Sequence, residues 1–285
     1  MNSITEKTQN DIVREIRTSM SLIDDIMFRQ MAKDLPCIQE VLRTILNDPD
    51  LTVIETTPQV NLTSFLKRSV VVDCLCTSKE GKIFNVEVQR DSGGIDHEKR
   101  VRYHASAITV DNTKPGTEFA DIPDVTVIYI CGFDIFGDGL SVYTVERTIA
   151  QTGKKLYNGL DEVYVTPVED GTDISELMKM FTEQDSYSPK FPETSRVKEY
   201  YRSHPEGEKE LNDIVETYFK QQFDEGRAEG RKENRAEYID NACRLVHEGS
   251  VTRDKAVELL ALIGIVSDVD EFDERMKVYS ENANA

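Results

Sequence analysis

Residues able to do chemistry together stand in one short stretch: Asp73 in "VVVDCLC", then Asn85, Glu87 and Gln89 in "FNVEVQR". Asp73 interrupts an apolar run that reads as a buried strand, where an ionised carboxylate needs a counter-charge, hydrogen bonds or a cation. Glu87 and Gln89 are two apart in an alternating segment, so their side chains share one face of a strand. The intervening "TSKEGK" is turn chemistry, which folds the second strand back on the first. An odd loop, Lys79–Gly81 or Ser78–Lys82, sets Asp73 opposite Glu87, whereas an even loop parts them. Facing carboxylates repel, and a divalent cation between them relieves that repulsion. Oxygen ligands on a rigid hairpin suit Mg²⁺ or Mn²⁺ and in-line attack of water on a phosphodiester. The competing reading makes Asn85, Glu87 and Gln89 the solvent face of a half-buried strand and pairs Asp73 with Arg68 or Arg102. The acid inside the apolar run favours the cation.

The elements that must hold this hairpin can be read on either side of it. Leu22, Ile26 and Met27 recur at helical spacing, Pro36 breaks the run, and Ile38, Val41, Leu42, Ile45 and Leu46 restart it, so two helices open the domain. "LTVIETT" reads as a short strand ending before Pro58, and "SVVVDCLC" as a strand buried on both faces. "DHEKRVRYHASAITVDN" is helical, "DVTVIYICGF" is a buried strand, and "SVYTVER" and "EVYVTPVE" are shorter ones. This order predicts an α/β fold, a mixed β-sheet with helices packed on it. Beyond Asp170 only helices follow: "DISELMKMF", "SRVKEYYRS" and a long run from about Glu206 to His247. Gly226, Gly230 and Asn234 fall every fourth residue, on one helix face, which suits a close helix contact or a solvated arm. Near the end, Gly249 stops one helix, Thr252 caps the next, and Ala256, Leu259 and Leu260 line its stripe. With acidic surroundings and no basic second helix, this hairpin reads as a packing or dimerisation module rather than a DNA-reading one.

In order and spacing these stretches resemble the PD-(D/E)xK nuclease superfamily, and within it the recombination-promoting nuclease and putative transposase family. The likeness runs through "DDIMFRQM", the hairpin, "KRVRYHASAI", "DVTVIYICGFDIF" and the "EGRAEGRKE" tail. It implies a restriction-endonuclease-like core over residues 1–222, an all-α extension over 223–285, and a DNA endonuclease connected with recombination. Carried over, Asp73 and Glu87 are metal ligands for Mg²⁺ or Mn²⁺, and Gln89 takes the place where the superfamily more often has Lys. An amide positions water but cannot act as its base. Members also commonly supply an acid from the first helix, for which Asp24 and Asp25 are candidates. Their alternative is an acid favoured by the helix dipole. Arg100 and Tyr103, one turn apart on the helix after the hairpin, match a family pattern and suit phosphate; the alternative is a snorkelling Arg beside a core Tyr.

Composition bounds the rest. At 285 residues and 39% hydrophobic content the chain can build a main domain with an appendage. The net charge of −19 weighs against a broad DNA-binding surface, and the excess acid lies mainly beyond residue 150. Lys67, Arg68, Lys99, Arg100 and Arg102 suggest a local DNA track instead. Five cysteines, an odd number, fit a reduced compartment, and Cys74 and Cys76 lack a second ligand pair for zinc. His97 and His104, seven apart without a matching partner, offer no metal pair. A polar N-terminus and the lack of a long apolar run lead us to expect a cytoplasmic protein without a membrane span. A reading of a different class is a nuclease-like fold that works as a homo-oligomeric interaction protein through its C-terminal helices, without turnover.

Overall fold

The computed structural model describes residues 9–62, 70–94, 96–229, 235–262 and 272–277. By internal packing they form two units, Ser21–Lys198 and a helical unit drawn from Met1–Met20 and Glu199–Ala285.

The first unit opens with α2 (Asp25–Ala32) and α3 (Leu35–Leu46), α1 (Gln9–Ser19) belonging to the other unit. Asp34 starts α3 by accepting from the Cys37 N–H at 3.0 Å, with Pro36 in the first turn where its missing N–H costs nothing. Then come β1 (Val53–Leu62), β2 (Val70–Ser78), β3 (Ile83–Gln89), α4 (His97–Asp111), β4 (Val125–Cys131), β5 (Val142–Val145), β6 (Leu160–Val165), α5 (Asp173–Thr182) and the start of α6 (Pro192–Ser203). Six strands form one sheet in the order β1-β2-β3-β4-β6-β5. β1, β2 and β3 are an antiparallel meander, β3, β4 and β6 run parallel, and β5 returns antiparallel on β6. The α4 crossover between β3 and β4 therefore covers the sheet above the hairpin, packing Val101, Ala105 and Ile108 into a core with Ile83, Val127 and Tyr129. This is a mixed α/β fold consistent with a restriction-endonuclease-like core.

Two strand expectations change. β1 does not end before Pro58 but runs through it to Leu62. It is the edge strand, where a proline's missing donor need not break a ladder. β2 is not buried on both faces: Val70, Val72, Cys74 and Cys76 are buried, while Val71 is exposed and Asp73 half-buried. Cys74 and Cys76 contribute to the core, and all five cysteines are free and buried.

In the helical unit, α1 packs with α7 (Pro205–Glu229) and α9 (Arg253–Leu262), and α8 (Arg235–His247) packs with α9. Ion pairs Arg17–Glu208 at 3.2 Å and Lys255–Glu15 at 2.7 Å add to these contacts. Gly249, at φ 71°, ends α8 in the left-handed region that glycine adopts at no steric cost. The residue-222 boundary drawn from sequence falls inside α7. Gly230 and Asn234 of the four-residue repeat lie outside the described residues. No helix among the described residues is long and apolar enough to cross a membrane.

Candidate active site

β3 settles whether "FNVEVQR" has a wet face. All seven of its residues are buried, with Asn85 at 0%, Glu87 at 1% and Gln89 at 7% exposure. β3 lies inside the sheet between β2 and β4, and α4 closes the polar face, so the alternation of apolar and polar residues does not mark core and solvent.

The turn sets the register. Thr77 pairs with Ile83, the Ser78 N–H donates to the Lys82 carbonyl at 2.9 Å, and Gly81 takes φ 84°. Pairing runs to Cys74 and Val86, so the next step places Asp73 opposite Glu87. There the regular ladder stops and side chains supply the partners. The Val88 N–H donates to Asp73 Oδ2 at 2.9 Å, and the Asp73 N–H donates to Glu87 Oε1 at 3.4 Å. Where β3 ends, the Gly132 N–H donates to the Gln89 carbonyl at 2.8 Å. A Cβ on Gly132 would stand 2.3 Å from the Arg90 carbonyl oxygen, so only glycine lets the backbones meet this closely.

From α4, capped by Asp96 on the Lys99 N–H at 3.0 Å, two side chains four residues apart reach the same carboxylate. Arg100 Nη2 lies 3.5 Å from Glu87 Oε2, and Nη1 donates to Gln89 Oε1 at 3.3 Å. His104 Nδ1 lies 3.1 Å from Glu87 Oε1, out of line for a formed hydrogen bond. Gln89 is pinned further by the Tyr129 hydroxyl at 3.5 Å and by its own amide donating to the Asp91 carbonyl at 2.8 Å. Behind it, His97 bridges the Tyr129 hydroxyl and the Ser92 carbonyl, each at 2.9 Å. Asn85 differs: neither amide atom has a partner among the described residues.

The two candidate acids of the first helix part company. Asp24 precedes α2, accepts from the Ser21 N–H at 2.7 Å and pairs with Arg90, so it ties the helix entry to the end of β3. Asp25 pairs with Arg29 through one oxygen, while its other oxygen, Oδ1, is buried without a partner among the described residues. Burial raises the Asp25 carboxyl above the usual carboxylate range, Arg29 opposes, and the charge of Glu87 pushes it up again. Burial also lifts Asp73 well above that range, Glu87 and Asp25 lift it further, and the Val88 N–H and Arg100 pull back. Burial acts to lower Arg100, but nearby negative charge, Glu87 foremost, holds it raised. Asp25, Asp73 and Glu87 are thus one electrostatic cluster, of which Asp25 rather than Asp24 is a member.

The donor set suits a hard divalent cation: carboxylate oxygens, one of them buried and orphaned, in acids whose charges oppose one another. As placed, no three His, Cys, Asp or Glu side chains among the described residues converge closely enough to hold an ion. Arg100 and His104 span Glu87 where a cation would compete. On the other strand face, Cys74 and Cys76 stand with Sγ atoms 3.5 Å apart beside Thr56, without a third ligand among the described residues.

Arg100 turns inward to the acids, whereas Arg102 and Tyr103 are exposed on α4. Lys99 is exposed and paired with Asp96, and Lys67 and Arg68 lie outside the described residues. Sequence reasoning passed over His97, His104 and Tyr129. For His104 a signal existed, its spacing of four from Arg100; for Tyr129 none did, because the register of a parallel strand is not local information.

Residues 26–167 match the family model described as PD-(D/E)XK nuclease family transposase. No curated protein and no solved structure matches the chain.

Proposed function

The chain belongs to the PD-(D/E)XK nuclease transposase family through residues 26–167, and on that premise we propose that it is a divalent-cation-dependent DNA endonuclease that hydrolyses phosphodiester bonds. The observation that carries the proposal is a carboxylate at 1% exposure, Glu87, with Asp73 opposite it in hairpin register. A buried carboxylate facing a second, half-buried one is costly, and a cation-binding role accounts for keeping the pair.

Asp73 and Glu87 would hold Mg²⁺ or Mn²⁺, with Asp25 as a third oxygen donor. Such an ion supplies an acidified water and offsets charge on the phosphoryl oxygens. Arg100, already raised and fixed beside the acids, contacts the phosphate under attack. Its planar fork can engage two oxygens at once. Gln89, held through both ends of its amide, keeps Arg100 and the attacking water in place by hydrogen bonding rather than by taking a proton. Arg102 and Tyr103, exposed on α4, contact the DNA further out. The association with recombination comes from the family, and no residue here is assigned to strand joining.

A second reading draws on a specific observation: both oxygens of Glu87 already have cationic or imidazole neighbours. It makes the protein a nuclease-like fold that binds without cutting, its copies paired through the C-terminal helices. Nicking of supercoiled plasmid by purified protein, with Mg²⁺, Mn²⁺, Ca²⁺ or EDTA, separates the two. Cleavage with Mg²⁺ or Mn²⁺ is expected to fall about a thousandfold in folded Asp73→Ala and Glu87→Ala, the scale of several kcal/mol of cation assistance. Plasmid left equally intact by wild type and variants would favour the binding reading.

A further inference from the structure

On the carboxylate of Glu87, Arg100 and His104 do not hold equivalent places. The Arg100 side chain is 31% exposed and shared between Glu87 and Gln89, at 3.5 and 3.3 Å. The His104 side chain is 9% exposed, closer at 3.1 Å, and directed at the other carboxylate oxygen. A phosphate entering the site competes for Arg100, which can turn to it; His104 is too enclosed on the packed face of α4 to follow. Once Arg100 serves the phosphate, His104 stays beside Glu87.

Ligating carboxylates depend on such outer partners for orientation and basicity. We infer that His104 is a positioning residue, which holds the Glu87 carboxylate in its ion-binding orientation while Arg100 serves the phosphate. This rests on the nuclease reading above. The 3.1 Å approach puts His104 Nδ1 within hydrogen-bonding distance of Oε1, where realignment of the ring or the carboxylate completes the bond. A ring packed there for its volume alone would need neither a nitrogen at that point nor the proximity to Oε1.

The test is calorimetric titration of Mn²⁺ into the metal-free, full-length protein, with thermal melts as a folding control. Wild type binds, and Glu87→Ala loses the ion. His104→Ala is expected to weaken Mn²⁺ binding by roughly 10- to 100-fold, the usual loss when an outer-shell partner is removed. His104→Gln, which keeps a donor, recovers most of that affinity, whereas Arg100→Ala weakens DNA binding without weakening Mn²⁺ binding. Wild-type affinity in a folded His104→Ala overturns the inference. Should His104→Ala fail to fold, His104→Leu against His104→Gln makes the same comparison, and equal affinities in that pair overturn it. Equal Mn²⁺ binding by wild type and Glu87→Ala would remove the nuclease reading itself, and this inference with it.

Discussion

β3 carries Phe84, Val86 and Val88 on one face and Asn85, Glu87 and Gln89 on the other, and the fold buries both faces alike. The apolar face is ordinary core and needs no further explanation. The polar face pays for its burial unequally: Gln89 is bonded through both amide atoms, Glu87 lies between Arg100 and His104, and Asn85 has no partner among the described residues. An unpaired buried polar group costs about 1–3 kcal/mol. A strand bearing that cost beside facing acids fits the cation-binding role proposed for it. The neighbours Asp24 and Asp25 repeat the contrast on a smaller scale. Asp24 is engaged by Ser21 and Arg90, while Asp25 keeps a buried oxygen unpaired among the described residues, within reach of the other acids' charge.

The largest expected effect comes from moving the polar chemistry to the wrong face. Val86→Asn places an amide in the apolar layer and is expected to cost about 3 kcal/mol, for a lost apolar group and a new unpaired one. Chemical denaturation measures it, and a cost under 1 kcal/mol would say the two faces are less distinct than described.

A slightly smaller effect should come from the ion. Mg²⁺ at a hundredfold its Kd would add about 2.7 kcal/mol to stability, seen as a raised Tm. The effect should depend on pH. Asp73 and Asp25 have folded-state values raised above those of the unfolded chain, so the folded state retains protons that the unfolded state has released. Their contribution is fully present below the ordinary Asp value of about 3.9 and is lost as pH rises through the raised values. Metal-free protein should therefore lose this contribution progressively as pH rises above about 3.9. Mg²⁺ should offset the loss, and Asp73→Asn should flatten the decline. A decline unchanged in Asp73→Asn would detach these acids from the pH dependence.

Smaller again is Asn85→Leu, which removes two unpaired buried atoms at similar volume and should stabilise the protein by about 1 kcal/mol. Destabilisation would reveal a partner for Asn85 that the described residues do not supply. Smallest is Arg102→Ala, on the exposed side of α4. It should leave stability unchanged and reduce the salt-dependence slope of DNA binding by about one. An unchanged slope would place the DNA elsewhere.

Much of this arrangement was legible before any coordinates. The turn chemistry, its glycine and the period-two pattern are local, and they narrow the hairpin to two cases, an odd loop that sets Asp73 opposite Glu87 and an even one that parts them; the observed register is the odd one. What was not legible is tertiary. Alternation in "FNVEVQR" looks the same whether α4 covers the polar face or water does, and only the position of β3 inside the sheet decides. Asp24 and Asp25 are indistinguishable as neighbours in sequence; Arg90, 66 residues away, tells them apart. Pro58 reads as a strand stop until β1 is known to be an edge. His104 looked idle because histidines were weighed as metal ligands, whereas it meets the carboxylate of a candidate ligand.

The most direct measurement is anomalous diffraction at the manganese edge from crystals of the metal-free protein soaked in Mn²⁺. A peak within about 2.2 Å of oxygens of both Asp73 and Glu87, as expected for a small hard cation, with Arg100 displaced from Glu87, is the predicted result. A site without a peak at saturating Mn²⁺, with Arg100 still on Glu87, would contradict a cation-dependent centre on this face of β3.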